Sequence, residues 1–506
     1  MVLKFIDNFL NKITMYRLTL YCLTFLWLAG LVISFFDVLP FNPQDFIISF
    51  IAIFISCVLA NKLLAFLLKA PANPESTYIT SLILSLIAGP ESSLKNLGLL
   101  CLVAAVAMAS KYLLAIHKKH VFNPAAFAVA ATGLTINYYP SWWIGDYHMA
   151  PLVIIAGLLI ARKLQKMDLV LSFFAVYLIT ASGTQLSIEN IIFSFKSLFD
   201  YSPFLFFAFV MLTEPATTPP TRKLRIAYGS LAAILLAPFI HLGQIYFSPE
   251  LALAAANIFS YLVSPKAKLI LYLKEKHKQG QSIFEFVFTP DRPLHFKPGQ
   301  YLEWTLAHKP RDARGMRRYF TIASSPTEDD IKIGVKFYEK PSSYKRALES
   351  LNPRDTLVAS QLAGEFTLPT DASKKLVFLA GGIGVTPFRS MIKYLSDKNE
   401  SRDIIMFYAN KNYNDIAYQD IFSEAHKKIG TKTVYVVNDV SGMPAGFAHE
   451  AGNVTQKMIQ AYAPDFKERY FYISGPKAMI DSFMSILGQM GVPQKNIKTD
   501  FFPGFA

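Results

Sequence analysis

The chain has 506 residues, 52% hydrophobic and 14% aromatic, with 50 Lys and Arg against 36 Asp and Glu and a formal charge of +14. That length exceeds a single core and implies about three folding units at roughly 150 residues each, and the apolar excess, concentrated before about residue 265, excludes an ordinary soluble protein over that half. Nucleic acid is not the implied partner, because the Lys and Arg residues of this half fall between apolar runs and form no patch interleaved with aromatics.

In chain order, apolar runs at 16–36, 46–68, 79–89, 97–116, 124–137, 149–162, 169–182, 191–212, 226–242 and 251–263 predict ten membrane spans, several of them short. The first run is too long for a signal peptide and has no small-residue cleavage site. Basic residues fix the orientation, since Lys and Arg are retained on the cytoplasmic side. Alternate connections collect Lys4, Lys12, Arg17, Lys62, Lys69, Lys111, Lys118, Lys119, Arg162, Lys163, Lys166, Arg222, Lys223, Arg225, Lys266 and Lys268, whereas the opposite ones hold only Lys95 and Lys196. Both ends and all that follows the last span are therefore expected on the cytoplasmic side of a cell (inner) membrane. Cys22, Cys57 and Cys101 sit inside apolar runs and read as packing residues, with no disulfide framework, iron–sulfur cluster or metal site implied.

This topology brings three polar or helix-breaking segments to one surface: 74–81 (PESTYITS), 117–126 (HKKHVFNPAA) and 213–223 (TEPATTPPTRK). Each combines Pro with hydroxyl, amide or charged side chains beside a short span, the expected look of non-helical backbone around a buried site. Asn123 and Thr217 are its candidate binding residues. The VFNPAAF and MLTEPATTPPT wording resembles the D subunit of the Rnf complex and the B subunit of the sodium-pumping NADH:quinone reductase, over roughly residues 15–264. The resemblance implies about ten spans in two related halves, bound flavin, and electron delivery to a quinone or partner flavoprotein. The covalently flavinylated SGAT-type segment of that family has no counterpart here, where GLTINYYPSWWIGDYHMAP runs instead, so covalent FMN is not expected and a noncovalent FMN or riboflavin is left open.

From Lys266 the pattern changes to alternating β-branched and aromatic runs at 269–273, 283–288, 301–306 and 331–337, which predict an antiparallel barrel over 266–372. Strand, turn and helix then repeat over 373–506, as in a parallel nucleotide-binding sheet. Within the barrel, PGQY (Pro298, Gly299, Gln300, Tyr301) precedes RRYFTIASSP (317–326). A flavin needs an aromatic wall, a donor near N5 and a cation for its pyrophosphate. Arg317, Tyr319 and Thr321 alternate onto one face of a strand, or Arg318 bends in at the strand end.

The second motif, LAGGIGVTPFRSM (379–391), places glycines at a strand-to-helix turn, where a pyrophosphate meets close backbone and free amides. Together these segments resemble the ferredoxin–NADP reductase superfamily over residues 266–506. The resemblance implies that Arg318 binds FAD phosphate, Tyr319 with Phe320 beside it walls the flavin, Thr321 bonds its N5 region, and Gly364 and Phe366 (GEF) form a further turn near it. It implies likewise that Gly381, Gly382 and Gly384 cradle the nucleotide, that Thr386 and Pro387 border the nicotinamide with Gly475 and Pro476 of SGPKAMI opposite, and that the C-terminal FFPGF contributes Phe505. Two departures accompany it. Ser474 stands where the family has a cysteine, and the loop before Ser342 and Ser343 lacks the usual phosphate-loop glycine. With only Lys411 in the stretch 410–413, NADH is favoured over NADPH.

No four-cysteine ferredoxin domain is present, so electrons are expected to pass from FAD to a flavin in the membrane half, a quinone or a protein acceptor. Heme is not expected, because His117, His120, His148 and His241 include no pair spaced along one span. Two other readings use the same residues: a redox-driven cation pump working through Asn61, Lys62, Glu214 and Asn257, and a membrane half that is only an anchor.

Overall fold

The computed structural model describes residues 6–7, 9–10, 13–68, 74–116, 119–181, 187–200, 202–265, 268–310, 312 and 314–500. Lys4, Lys12, Lys69, His117, Lys118, Lys266 and Phe505 lie outside them. Two units divide the chain, Met1–Lys266 and Ala267–Ala506.

The first unit is helical: α1 (Met15–Ser34), α2 (Pro43–Leu67), α3 (Pro74–Ile87), α4 (Leu94–Leu113), α5 (Pro124–Ile136), α6 (Ala150–Leu164), α7 (Met167–Ala181), α8 (Ile188–Ser197), α9 (204–211, ending in a π-helical turn), α10 (Arg222–Leu235) and α11 (Pro249–Val263). Their starts follow from local chemistry. Thr14, Asn42, Ser93, Asn123 and Ser187 each accept a first-turn N–H, and proline opens α2, α5 and α11 where its missing N–H is harmless.

Among the described residues three helices, α1, α2 and α4, are long and apolar enough to cross a membrane, with 20, 25 and 20 residues. The apolar helices α5, α7 and α11 have 13, 15 and 15 residues, about 20 Å at 1.5 Å per residue. Three expected features come out differently. The run 191–212 is two helices, because Pro203 cannot extend α8 into α9. The run 226–242 stops at Leu235 before Pro238, and a hairpin pairs His241–Leu242 with Ile245–Tyr246. The segment 74–81, read as irregular backbone, is the first half of α3, since Pro74 occupies the one helical turn that tolerates it.

Packing repeats along the unit. In the first half α2 packs on α4, α1 on α3, and α4 on α5; in the second, α7 packs on α10, α6 on α9, and α10 on α11, with α8 inserted. The halves join through α1 with α6 and α5 with α11. Close approach needs glycine at two second-half contacts: a β-carbon on Gly157 would lie 2.4 Å from the Phe209 ring, and one on Gly229 2.7 Å from the Leu169 carbonyl oxygen. Helix α2 shows the unit's polarity, with Ser49, Cys57 and Asn61 buried while Ile48, Ile51, Ile55, Leu59, Leu63 and Phe66 are 41–80% exposed.

The second unit opens with the antiparallel strands β1 (Lys268–Lys278), β2 (Ile283–Pro290), β3 (Tyr301–Thr305), β4 (Arg317–Thr321), β5 (Ile331–Lys336) and β6 (Thr356–Ala363), in the order β4-β3-β6-β1-β2-β5. The two ends of this order meet where Ala323 N donates to Lys332 O at 2.8 Å. Helix α12 (Ser343–Glu349) contributes Tyr344 and Leu348 to the core of Trp304, Phe288 and Leu271. Next come β7 (Leu376–Gly381), α13 (Thr386–Asp397), β8 (Ile404–Asn412), α14 (Gln419–Ile429), β9 (Lys432–Asp439), β10 (Glu450–Ala451), α15 (Gln456–Tyr462), β11 (Tyr470–Ser474), α16 (Lys477–Gln489) and β12 (Ile497–Thr499). Their sheet is parallel, in the order β10-β9-β8-β7-β11-β12. Buried faces on both sides explain runs such as LVFLAG, where all six residues are buried.

Candidate functional site

The sheet order reverses between β7 and β11, and the crevice outside the strand ends at such a reversal is where doubly wound sheets bind ligands. Both glycine turns of the sequence lie there. Ala380 pairs with Ser474 at the strand ends, and beyond them a β-carbon on Gly384 would lie 2.6 Å from Gly475 Cα. One on Gly381 would collide with the Met479 methyl at 1.5 Å. Gly382 has φ +52 and open space around it, so its backbone conformation is what requires glycine. Thr386 and Pro387 open α13, and Ser474 Oγ donates to Asp500 Oδ2 at 3.1 Å.

The PGQY and GEF turns meet beside this crevice: a β-carbon on Gly299 would lie 2.0 Å from Phe366 O and 2.5 Å from the Met391 methyl of α13. Gln300 accepts from Lys297 N at 2.8 Å, and Tyr301 crowds Gly364. Pro298, Gln300, Tyr301, Gly364, Phe366 and α13 are thus brought together.

Strands β3 and β4 pair Tyr301 with Thr321, Glu303 with Tyr319 and Trp304 with Arg318. Successive side chains alternate, so Arg317, Tyr319 and Thr321 share a face with Tyr301 and Glu303. Arg318 and Phe320 share the other with Leu302 and Trp304. Tyr319 Oη donates to Glu303 Oε2 at 2.7 Å, its ring is edge-on to Tyr301 at 5.7 Å, and Arg317 Nη1 is 3.4 Å from Glu303 Oε1. Of the two arrangements read from the sequence, the pleat gives Arg317, Tyr319 and Thr321 one face and places Arg318 on the other. The cation beside Tyr319 is Arg317, and the aromatic beside Arg318 is Phe320.

Arg318 is 1% exposed, lies over the Tyr344 ring at 4.9 Å, and donates through Nη1 to Arg314 O at 2.8 Å and Arg317 O at 2.6 Å. Its Nη2 is buried without a partner among the described residues. Lys345, which the sequence reading missed, belongs to the same group: burial, then the positive Arg318 and Arg314, push its ammonium down to about 8. Asp312 offsets part of this charge; burial opposes its ionisation, but N–H donors from Ser343 and Arg314 and the Arg314 guanidinium hold it at about 2. An orphaned guanidinium nitrogen among crowded cations fits a pyrophosphate. Ser342 and Ser343 border the group with hydroxyls already engaged. Ser342 caps α12 by accepting from Lys345 N at 3.2 Å, and Ser343 Oγ meets His308 Nε2 at 2.9 Å and Asp312 N at 3.0 Å. Lys345 was legible only as one of the two basic residues in SSYKRAL; nothing local marked it as buried.

In the helical unit, Asn123 and Thr217 meet at Glu214, Thr217 Oγ1 at 3.2 Å from Glu214 Oε2. Lys111 and Lys166, both 9% exposed, lie within electrostatic range of that carboxylate, and they donate to Ser76 O at 3.0 Å and Thr213 O at 2.8 Å. Tyr228 Oη donates to Asn257 Oδ1 at 2.8 Å and is also bonded to Thr217. The polar segments around residues 76, 123 and 214 therefore face one centre. Asn61 is elsewhere occupied by Tyr112 Oη at 2.8 Å.

Residues 378–484 match the family described as the oxidoreductase NAD-binding domain. A flavohemoprotein of Rhodopirellula baltica is 28% identical over 242 residues, covering 45% of this chain and 59% of its own length. The glycine betaine monooxygenase reductase subunit of Pseudomonas aeruginosa is 25% identical over 220 residues, covering 43% of this chain and 59% of its own. Each match spans less than two thirds of the relative. Among solved structures, the flavohem-like FAD/NAD-binding domain of nitric oxide dioxygenase from Vibrio cholerae is similar at 18% identity and a TM-score of 0.41, covering 46% of this chain and 98% of that one. The likeness falls on the C-terminal half of the chain, and the family matched within it is an oxidoreductase NAD-binding domain.

Proposed function

We propose that the protein is a membrane-bound, FAD-dependent NAD(P)H oxidoreductase that passes electrons to an acceptor reached through its helical unit. The observation that carries the reading is the pair of glycine turns at the β7/β11 reversal, with the PGQY turn before β3 packed against Met391 of α13 beside them. When bound, FAD supplies a two-electron acceptor for the hydride of NAD(P)H. Arg318 and Lys345 hold its pyrophosphate. Either Tyr319, with Thr321, or Phe320 walls its ring. Gly381, Gly382, Gly384 and Gly475 admit the nucleotide backbone, and Thr386, Pro387 and Ser474 border the nicotinamide. Orientation and exclusion of water are the tasks of these side chains; none needs to act as acid or base.

Lipid is the medium that suits the first unit, since a stripe of Ile, Leu and Phe such as that on α2 faces water only at high cost. The short helices agree with spans buried among neighbours. The Glu214 centre, with Asn123 and Thr217, is the acceptor region, for a noncovalent FMN or riboflavin or for a quinone. Both termini and the reductase module are assigned to the cytoplasmic side by the distribution of Lys and Arg. An anaerobic NADH titration of the detergent-solubilised chain, with flavin extraction before and quinone added after, tests this directly. The reading requires bound FAD that bleaches with one equivalent of NADH or NADPH and recolours with quinone; a colourless protein that cannot bleach added FAD overturns it.

A further inference from the structure

Strand β4 and helix α13 belong to different halves of the reductase module, yet their ends are joined by side chains that the proposed chemistry does not use. Arg389, 2% exposed, stands three residues after Thr386. Its Nη1 donates to Ala323 O at 3.0 Å, two residues beyond Thr321, and its guanidinium clasps the Glu328 carboxylate, Nη2 to Oε1 at 3.0 Å. The adjacent Ser390 donates Oγ to Ser324 O at 2.7 Å. Glu328 in turn accepts Ser325 N at 2.6 Å and Lys332 Nζ at 2.8 Å. Farther along the helix, Thr327 Oγ1 donates to Asp397 Oδ2 at 2.5 Å.

Every residue from Ala323 to Glu328 except Pro326 thus takes part in a bond within this seam. A bidentate guanidinium clasp has a fixed fork geometry, and a buried one cannot slip without stranding a charge. Glu328 shows how strongly it is held: burial opposes its ionisation, but the bonds and charge of Arg389 and then Lys332 keep it at about 2.

We propose that Arg389, with Ser390, is a positioning residue that sets the approach of the nicotinamide to the flavin. The seam makes Thr386–Pro387 and Thr321 parts of one block, so the spacing of the two ring walls is determined by α13 and not by the 364–375 connection. The inference rests on the FAD and NAD(P)H reading above. The step it serves is balanced: a hydride carries two electrons and a proton from nicotinamide C4 to the flavin, leaving NAD(P)+ and reduced flavin. Misplacement of reacting atoms by about 1 Å costs on the order of a hundredfold in rate.

The test uses the solubilised full chain with Arg389→Lys, Glu328→Gln and Ser390→Ala, and three readouts per bound FAD. These are the anaerobic hydride-transfer rate with NADH and with C4-deuterated NADH, the affinity for a non-reducing NADH analogue, and amide hydrogen exchange over residues 321–328. Expected are full FAD content and analogue affinity within about threefold of the parent chain. Expected with them are transfer about 10- to 100-fold slower with a larger isotope effect, faster exchange at 323–325, and a smaller loss for Ser390→Ala. Transfer unchanged per FAD in Arg389→Lys and Glu328→Gln overturns the proposal, as does a loss confined to FAD content, which marks a merely structural seam. Failure of the unsubstituted chain to bleach its FAD is a different result and overturns the underlying reading instead.

Discussion

Gly384 and Gly475 stand back to back, so close that a β-carbon on the first would lie 2.6 Å from the Cα and N of the second. The obstacle is backbone, which cannot rotate aside as a side-chain end can. Gly384→Ala is expected to force the turn after β7 away from the turn after β11 and widen the crevice between them. NAD(P)H affinity should fall at least tenfold, about 1.4 kcal/mol, with FAD content retained because the barrel is untouched. Nucleotide titration of the FAD-loaded protein checks this; unchanged affinity would remove the crevice as the nucleotide site.

The two faces of β4 give a second expectation. Arg318→Ala removes the guanidinium with the orphaned Nη2 and should weaken FAD binding by roughly 1.5–3 kcal/mol, the usual worth of a hydrogen bond to a charged group. Arg317→Ala removes a partly exposed cation from the buried Glu303, which keeps its bond from Tyr319, and leaves Arg318 in place, so it should cost FAD affinity less. Comparison of Tyr319→Leu with Phe320→Leu then identifies the ring wall, through the shape and position of the bound-flavin absorption bands. If Arg317→Ala proves the more damaging, the phosphate lies on the Tyr319 face and the assignment of Arg318 is wrong.

Much of this was legible in the sequence, for identifiable reasons. LAGGIGVTPF announces itself because a strand, a glycine turn and a helix start follow in ten residues, each enforced locally. The ten apolar runs emerge as helices for the same reason, except where Pro203 and Pro238 break them. What stayed hidden depends on distant partners. Which of Arg317 and Arg318 faces the aromatic depends on register against β3, and Lys345 becomes special only because the fold buries it beside Arg318 and Arg314. Arg389 looks like an ordinary helix residue until Glu328 and the Ala323 carbonyl, about sixty residues away, close on it.

The crowded cations predict a pH dependence. Before FAD binds, Lys345 loses its proton at about 8, below its ordinary 10.5. Because its folded value is depressed, the FAD-free module gains stability as pH rises from about 8 to 10.5, where the unfolded chain still holds the proton. An anion at the site favours charged Lys345 and raises its value, so FAD binding takes up a proton above about pH 8. FAD affinity should therefore decline above that pH, by at most about tenfold per unit for one proton. The slope should disappear in Lys345→Met. Fluorescence titration of deflavinated protein between pH 7 and 10 measures it, and a slope that persists in the variant would assign the proton elsewhere.

Asn123 carries two loads that substitution can separate. It caps α5 by accepting Ala126 N at 3.1 Å, and it bonds Glu214. Serine keeps the capping ability but not the reach, so Asn123→Ser should preserve α5 while releasing one side of the carboxylate. Thr217→Val removes the hydroxyl that meets Glu214 with little change in volume. If the Glu214 centre is the acceptor region, both variants should reduce a soluble dye with NADH at rates within about twofold of the parent, since dye reduction needs only the reductase module. Quinone reduction in proteoliposomes should fall at least fivefold, and any second flavin extracted with FAD should fall below one equivalent. The ratio of the two activities is the informative quantity, because misfolding lowers both. Parent-like quinone reduction in both variants would leave the helical unit as a membrane anchor and place the acceptor site on the reductase module itself.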